Sequence, residues 1–262
     1  MKIVTMAQNV PGPVAVARLV AGGASAIKIE APWGDPLEGF CQSWYDELHA
    51  GVTIARLDLK SADGMRSLMD LLESADVFIA SHRPAALERL ALDAASLAQR
   101  VPLLRHLNIV GDTAHPNEPG HDLTYQAKAG LLQDGMPKTL LADLLGAERA
   151  HAAVLEMMHC GAGGQRVVGL FDALRTLTAP LRHGLTAPGG VLGGANPAYG
   201  IYAARDGQVA VGALEPHFRE RLYGALGLAD GSPLATVIAT KTAAEWEQWG
   251  HERDLPITAV AD

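Results

Sequence analysis

The sequence predicts an α/β protein that consists of a parallel-sheet domain and a smaller α+β domain. In the first part of the chain β-rich runs alternate with helical runs, which is typical of a parallel sheet covered by helices on both faces. The stretch around 184–198 is rich in Gly and Pro and lacks periodicity, and a hairpin signal follows it. We therefore expect a large domain at 1–185, a linker at about 184–198 and a smaller domain at 186–262.

The N-terminal segment predicts strand, helix and strand in that order. Residues 2–6 form a short β-rich run, the prolines of PGP (11–13) interrupt it, and VAVARLVAGG has helical character that ends on two glycines. The run AIKIE (26–30) then predicts a second strand.

The same unit recurs further along the chain. The segment SADGMRSLMDLLES (61–74) has Ser61 as a candidate N-cap and apolar residues at helical spacing, and it leads into the strand ADVFIA (75–80). A helical region at 84–100 precedes the strand LRHLNIV (104–110). These repeats predict a Rossmann-like parallel sheet.

The smaller domain is expected to contain a β-hairpin and a C-terminal helix. The run AYGIYAARDGQVAVGAL predicts two strands joined at 205–208, with Asp206 and Gly207 as the turn signal. The tail TAAEWEQWGHERD predicts an amphipathic helix.

Composition excludes several classes of function. The 262 residues are 48% hydrophobic and carry a net charge of −8 without a block of Lys and Arg, so nucleic acid and an anionic membrane are not expected as partners. Two cysteines, Cys41 and Cys160, predict neither a disulfide framework nor a metal site. The N-terminus resembles neither a signal peptide nor an anchor, and no apolar run approaches the ~20 residues of a membrane span. A cytoplasmic protein is expected.

Common nucleotide and hydrolase motifs are not found in the sequence. There is no GxGxxG after the first strand, no P-loop, no HExxH and no GxSxG. The prolines of the first turn also lack the backbone N–H groups that a phosphate-binding loop needs. A standard dinucleotide site or an NTPase is therefore not expected.

Six stretches, taken in order, resemble the family III CoA-transferase superfamily, and the resemblance runs from about Pro11 to Pro256. They are AGGASAIKIEAPWGDP (21–36), LDLKSADG (57–64), ADVFIASHRPAALERLAL (75–92), GHDLTYQAKAG (120–130), ADLLGAERAHAAVLEMM (142–158) and GGQRVVGLFDAL (163–174). The resemblance implies a CoA-binding large domain, an acyl-CoA thioester as substrate, no cofactor beyond coenzyme A, and an interlocked homodimer. The chain stops at LPITAVAD, where the family pattern continues with a further C-terminal segment.

The α-methylacyl-CoA racemase branch of the family is the more similar one. Carried over to this sequence, its proton-handling pair falls on His121 and Asp143, and its supporting carboxylate falls on Glu215. Removing and returning a proton α to a thioester needs a base on one face and an acid on the other, and an imidazole with a carboxylate tuned by burial suits that work. The transferase branch uses the aspartate at 143 as a nucleophile and generally lacks the histidine.

Other interpretations of these residues remain open. Asp143 is also a candidate N-cap of the helix that follows it, His121 and Asp122 form a plausible helix-capping turn, and Glu215 before a proline resembles an ordinary loop residue. A transferase that needs only Asp143, and a non-catalytic acyl-CoA-binding protein, are therefore carried as alternatives to the racemase.

For CoA binding the resemblance implies contacts along LDLK, the RPG-like motif and the Gly-His-Asp turn. The expected contacts are Arg83, Lys60, Leu59, Tyr125 and Gly120. Arg83 is the best phosphate partner because its planar guanidinium matches phosphate oxygens. A solvated surface charge is the alternative for Arg83 and Lys60. The basic lead-in to LDLK retains only Arg56, and the RPG-like motif is RPA here. The missing basic residues and the short C-terminus are what suggest the binding-protein alternative.

Overall fold

A computed structural model describes residues 1–132, 135–161 and 163–261. They fall into two compact units, Met1–Thr178 and Ala179–Asp262. The division comes before the boundary expected after residue 185, because the chain leaves the first unit directly after its last helix.

The first unit contains a six-stranded parallel sheet in the order β3-β2-β1-β4-β5-β6. The strands are β1 (Lys2–Thr5), β2 (Ser25–Glu30), β3 (Val52–Arg56), β4 (Val77–Ala80), β5 (Arg105–Val110) and β6 (Gly164–Gly169). Every described pairing in this sheet is parallel. This is the strand order of a Rossmann sheet, in which the chain reverses its direction of winding between β1 and β4. The predicted α/β class is confirmed.

Helices cover both faces of the sheet. They are α1 (Pro11–Ala21), α2 (Pro36–Phe40), α3 (Gln42–Leu48), α4 (Ala62–Glu73), α5 (Pro84–Arg89), α6 (Ala94–Arg100), α7 (Asp122–Lys128), α8 (Leu141–Cys160) and α9 (Leu170–Leu177). One hydrophobic cluster joins the sheet to α1, α3, α8 and α9, and a second joins it to α4, α5 and α6. Two buried layers of apolar side chains therefore hold the sheet between them.

Local sequence signals explain where several helices begin. Pro11 occupies the first position of α1, where its missing N–H costs nothing, so PGP opens this helix instead of only ending β1. Ser61 caps α4 as predicted, since its Oγ accepts from the Gly64 N–H at 3.0 Å. The single helical region expected at 84–100 is wrong, because the chain forms two helices with a break in which Ala91 has φ of 52°.

The second unit is a small α+β structure. Its elements are α10 (Ala179–Arg182), β7 (Tyr199–Ala203), β8 (Gln208–Gly212), α11 (Pro216–Leu226), α12 (Ala235–Ile238), α13 (Ala243–His251) and β9 (Ile257–Ala259). The predicted hairpin is present, because β7 and β8 pair antiparallel around Asp206 and Gly207, and β9 adds a third strand. The predicted C-terminal helix is α13, and Thr242 caps it with Glu245 in a capping box.

None of the helices in the described ranges has both the length and the apolar character that crossing a membrane requires.

Candidate active site

A cleft of about 160 Å³ lies at the carboxyl ends of the central strands of the first unit. Five residues that follow these strands line the cleft. Gln8 and Asn9 follow β1, Ser81 and Arg83 follow β4, and Gly111 follows β5. This is the point where the sheet reverses its winding, and open α/β sheets bind ligands there. The cleft is smaller than the roughly 300–1,000 Å³ of a site that encloses a whole drug-sized ligand. It suits the reacting end of a larger substrate.

His121 and Asp143 both line this cleft. The two residues are 22 positions apart; His121 directly precedes α7, and Asp143 lies in the first turn of α8. The sequence resemblance predicted that they act together, and the fold places both at one opening.

Asp143 is partly buried and has an unusual acidity. Burial, and to a lesser degree the charge of the neighbouring Asp122 carboxylate, raises the pKa of Asp143 to about 7. Its carboxylate receives no hydrogen bond from any side chain or backbone group in the described part of the chain. A carboxyl group with a pKa near neutrality can either give or take a proton at physiological pH.

The alternative interpretation of Asp143 as an N-cap is wrong. Asp143 is the third residue of α8, and Asp122 satisfies the first N–H groups of that helix instead. Asp122 Oδ1 accepts from the Ala142 N–H at 2.7 Å and from the Asp143 N–H at 3.1 Å. Its Oδ2 accepts from Gln126 Nε2 at 2.5 Å. The buried Asp122 carboxylate is therefore committed to capping, while the Asp143 carboxylate is not.

His121 occupies the N-cap position of α7, so the interpretation of this segment as a capping turn also describes it correctly. The groups that close the turn are the backbone of His121 and the Thr124 hydroxyl. Thr124 Oγ1 accepts from the His121 N–H at 3.1 Å and donates to the His121 carbonyl at 2.7 Å. The His121 imidazole is exposed at the cleft.

Three of the residues expected to bind CoA also line the cleft, namely Arg83, Gly120 and Tyr125. Arg83 is exposed at the beginning of α5 and brings a positive charge to the opening. Lys60 and Leu59 lie elsewhere, in the connection between β3 and α4, and do not contribute to the cleft. Lys60 is exposed, and Leu59 packs against the second hydrophobic cluster.

Glu215 belongs to the second unit, where it is exposed at the N-cap position of α11. Its side chain makes no cap hydrogen bond to that helix. The expected contact between Glu215 and His121 therefore stays a prediction, as does the expected homodimer.

Sequence reasoning missed the residues that follow β1. The Gln8 N–H donates to Ser81 Oγ at 2.9 Å, which joins the ends of β1 and β4 beneath the cleft. Asn9 has φ of 60°, an uncommon value for a residue other than glycine, and its N–H donates to Asp35 Oδ1 at 3.1 Å. An Asn between a strand and a Pro-initiated helix was the available signal, because Asn tolerates this backbone region better than most residues.

Behind Asn9 lies a buried charged cluster that the sequence did not reveal, which we call the Lys28 cluster; it comprises Lys28, Glu30, Asp35, Tyr45 and His49. Lys28 Nζ lies 2.5 Å from Asp35 Oδ2, 3.3 Å from Glu30 Oε1 and 2.8 Å from His49 Nε2. The Tyr45 hydroxyl donates to Glu30 Oε1 at 2.7 Å. Glu30, Asp35 and His49 are close enough to hold a cation, and the Lys28 ammonium already lies among them. The cluster thus contains its own counter-charge.

Comparison with known proteins places this architecture in one family. The family model described as CoA-transferase family III matches residues 1–262. Human alpha-methylacyl-CoA racemase is 28% identical over 312 aligned residues, which cover 99% of this chain and 76% of the human protein. A CaiB/baiF CoA-transferase family protein of Caenorhabditis elegans is 28% identical over 71% of this chain and 62% of its own length. This chain therefore spans less than two thirds of the nematode protein.

Solved structures agree on the fold. The crystal structure of hypothetical protein Rv3272 from Mycobacterium tuberculosis superimposes with a TM-score of 0.87 at 23% identity, covering 100% of this chain and 84% of that one. A CAIB/BAIF family protein from Brucella suis superimposes with a TM-score of 0.81 at 18% identity. The strand order, the position of the cleft and a family match along the whole sequence lead to one assignment: this chain belongs to CoA-transferase family III.

Proposed function

We propose that this protein moves the proton on the α-carbon of an acyl-CoA thioester, and so interconverts the two configurations of a 2-methylacyl-CoA. The observation that supports this most directly is that the cleft combines an exposed imidazole, His121, with a carboxyl group of raised pKa, Asp143. Racemisation needs two groups that exchange protons near neutral pH, and a carboxyl with a pKa of about 7 meets that need.

The reaction proceeds through an enolate. One of the two groups takes the α-proton, and the electrons of the broken C–H bond move toward the carbonyl oxygen. The other group then returns a proton to the opposite face. Arg83 at the opening supplies a positive charge for the CoA phosphates. The proposed role of Glu215 is to hold His121 in the correct tautomer, as in the racemase branch.

CoA transfer is the alternative within the same family. In that reaction the Asp143 carboxylate attacks the thioester carbonyl, the C–S bond breaks, and the CoA thiolate leaves as an acyl-aspartyl anhydride forms. A relative with such a name, cinnamoyl-CoA:phenyllactate CoA-transferase of Clostridium sporogenes, is 26% identical over 98% of this chain. The raised pKa of Asp143 favours proton transfer, because a nucleophilic carboxylate must be ionised while an acid–base group works best near its pKa.

Solvent deuterium incorporation tests the proposal. The wild-type protein, incubated in D₂O with either enantiomer of 2-methyldecanoyl-CoA, is expected to introduce deuterium at the α-carbon. His121→Ala should slow exchange from one enantiomer more than from the other, because each group serves one face, and Asp143→Ala should show the opposite preference. Mass spectrometry of the recovered thioester measures both.

The control is His159→Ala, which removes an exposed histidine from α8, the helix that carries Asp143, at a position that does not line the cleft. It should exchange at the wild-type rate. Absence of exchange in the wild type, together with acyl transfer to a free carboxylic acid that survives His121→Ala, would establish the transferase instead. Thioester binding without either reaction would indicate the non-catalytic alternative.

A further inference from the structure

The side chain of Tyr125 reaches from α7 into the wall of the cleft, where two glycines make room for it. Tyr125 is 8% exposed. A Cβ atom on Gly111 would lie 1.9 Å from the Tyr125 hydroxyl oxygen, and one on Gly120 would lie 2.2 Å from it. Both glycines line the cleft. Any larger residue at either position would displace the phenol, so the absence of side chains there fixes where the hydroxyl lies.

The Tyr125 hydroxyl has no hydrogen-bond partner within the described ranges. Buried tyrosines usually find a partner for the O–H group, as the other buried tyrosine of this unit, Tyr45, does with Glu30. Burial raises the pKa of Tyr125, and the charge of Asp143 adds to this effect. The phenol therefore keeps its proton at neutral pH and offers a donor to the cleft. Tyr125 and Asp143 line the same cleft, so the hydroxyl and the carboxyl proposed to move the proton face one opening.

The chemistry proposed for this cleft requires such a donor. When the α-proton leaves, the electron pair of the C–H bond forms the new carbon–carbon double bond, and the carbonyl π pair moves to the oxygen. The oxygen also becomes negative if a carboxylate attacks the carbonyl carbon. A fixed donor aimed at that oxygen stabilises the charge as it develops and leaves the ground state almost unaffected.

We propose that Tyr125 is a catalytic residue whose hydroxyl donates a hydrogen bond to the thioester carbonyl oxygen as that oxygen becomes negative. This inference rests on the proposed action on acyl-CoA thioesters, and it holds for α-proton transfer and for acyl transfer alike. No proton leaves the tyrosine, so the atoms and charges of the reaction balance without it. The role differs from the CoA contact that family resemblance implies for this residue, since it concerns the reacting carbonyl.

The test is Tyr125→Phe, which removes the hydroxyl and keeps the ring. Deuterium exchange into 2-methyldecanoyl-CoA should fall in kcat by about 10²–10³-fold, the usual effect of losing one donor to a developing oxyanion. The Kd for free CoA, measured by calorimetry, should change less than about threefold. The matched control is Tyr45→Phe, which removes the hydroxyl of the other buried tyrosine and should keep wild-type kcat even if its thermal stability falls.

A second variant keeps the hydroxyl but moves it. Gly111→Ala places a methyl group where the phenol oxygen lies, so kcat should fall although Tyr125 is present. Gly23→Ala is its control, since a Cβ there meets nothing within 4 Å. It includes the backbone strain of replacing a glycine, which is larger at Gly23 than at Gly111 because Gly23 has φ of 94°. A loss of kcat in Gly111→Ala alone is therefore not due to backbone strain.

The outcomes separate this inference from the proposed function. If the wild-type protein neither exchanges nor transfers, the proposed function fails and takes this role with it. If the wild type is active and Tyr125→Phe keeps its kcat, the catalytic role of Tyr125 alone is overturned. A variant that raises the Kd for CoA and the KM while leaving kcat intact would overturn it too, and would instead support a CoA contact.

Discussion

Two acidic clusters in the first unit are built in opposite ways. In the Lys28 cluster the carboxylates of Glu30 and Asp35 are almost completely buried and surround an ammonium group that is itself 1% exposed. At the cleft, Asp122 and Asp143 lie close enough for the charge of one to raise the pKa of the other, and no cation lies between them in the described structure. Both clusters lie near the carboxyl ends of strands of the same sheet.

The difference concerns how the cost of a buried charge is met. In the Lys28 cluster the ion pair and the Tyr45 hydroxyl compensate for lost hydration, so the charges are fixed and their role is structural. At the cleft, backbone N–H groups compensate Asp122, and Asp143 is left to respond by holding its proton. Within the described structure, Asp143 is paired neither with a cation nor with capping N–H groups, and it is the carboxyl of the two clusters that is available for chemistry.

The largest expected effect is on the structural cluster. Lys28→Met leaves two buried carboxylates without their ammonium, and it should lower the free energy of unfolding by about 3–5 kcal/mol. Urea unfolding followed by circular dichroism measures the loss. Arg56→Ala is the matched control, because Arg56 pairs with Glu30 and Glu38 through a side chain that is 49% exposed, and it should cost no more than about 1 kcal/mol. Equal losses from the two variants would contradict the distinction between the clusters.

The next prediction is a gain in the free energy of unfolding, in contrast to the loss expected for Lys28→Met. The pKa of Asp143 rises on folding from an ordinary 3.8 to about 7, so between these values the folded protein binds more protons than the unfolded chain. Stability should therefore fall as pH rises through this window. Asp143→Asn lacks this titration, so its unfolding free energy relative to wild type should increase from pH 4 to pH 7 by on the order of 1–3 kcal/mol, then stay constant. If plots of unfolding free energy against pH stay parallel for wild type and Asp143→Asn across this range, Asp143 titrates normally.

The smallest effect separates the charge of Asp122 from its capping role. Asp122→Ala removes the acceptor for the first N–H groups of α8 and should cost about 1–2 kcal/mol of unfolding free energy. Asp122→Asn keeps an acceptor oxygen and should recover part of that loss. Because both variants remove a negative charge next to Asp143, both should lower the pKa of Asp143. Carbon-detected NMR titration of the Asp143 carboxyl measures this without relying on activity, and an unchanged pKa would show that burial alone accounts for the shift.

The sequence predicted the parts of the fold that depend on local signals. Alternating strands and helices, the Ser61 cap and the turn at Asp206 and Gly207 all follow from neighbouring residues. Strands β3 and β6 were not recognised. They are the edges of the sheet, and five of the six residues in β6 are partly or fully exposed, so the expected apolar run is missing.

In the candidate site, too, the sequence predicted residues that stand in local motifs and missed contacts between distant segments. His121, Asp143 and Arg83 are recognisable because they stand in motifs that can be compared along the chain. The capping of α8 by Asp122 joins residues 20 and 21 positions apart, and the Lys28 cluster joins residues 21 positions apart. Such contacts depend on how the helices pack, which no local pattern encodes. The packing that buries Asp143, and to a lesser degree the charge of Asp122, raises the pKa of Asp143, and Asp35 of the Lys28 cluster accepts from the Asn9 N–H.

The position of Asp122 affects how far the residues of the candidate site would have to move during a reaction. It is the first residue of α7, next to His121, and it binds the N–H of Asp143 in α8. Asp122 thus connects the two candidate proton-handling residues within the first unit: it is covalently next to His121 and hydrogen-bonded to the backbone of Asp143. The backbones of His121 and Asp143 are therefore linked through Asp122 by the fold of that unit. Because the fold of this unit already brings both residues to one cleft, less of the reorganisation that a reaction requires has to come from moving their backbones.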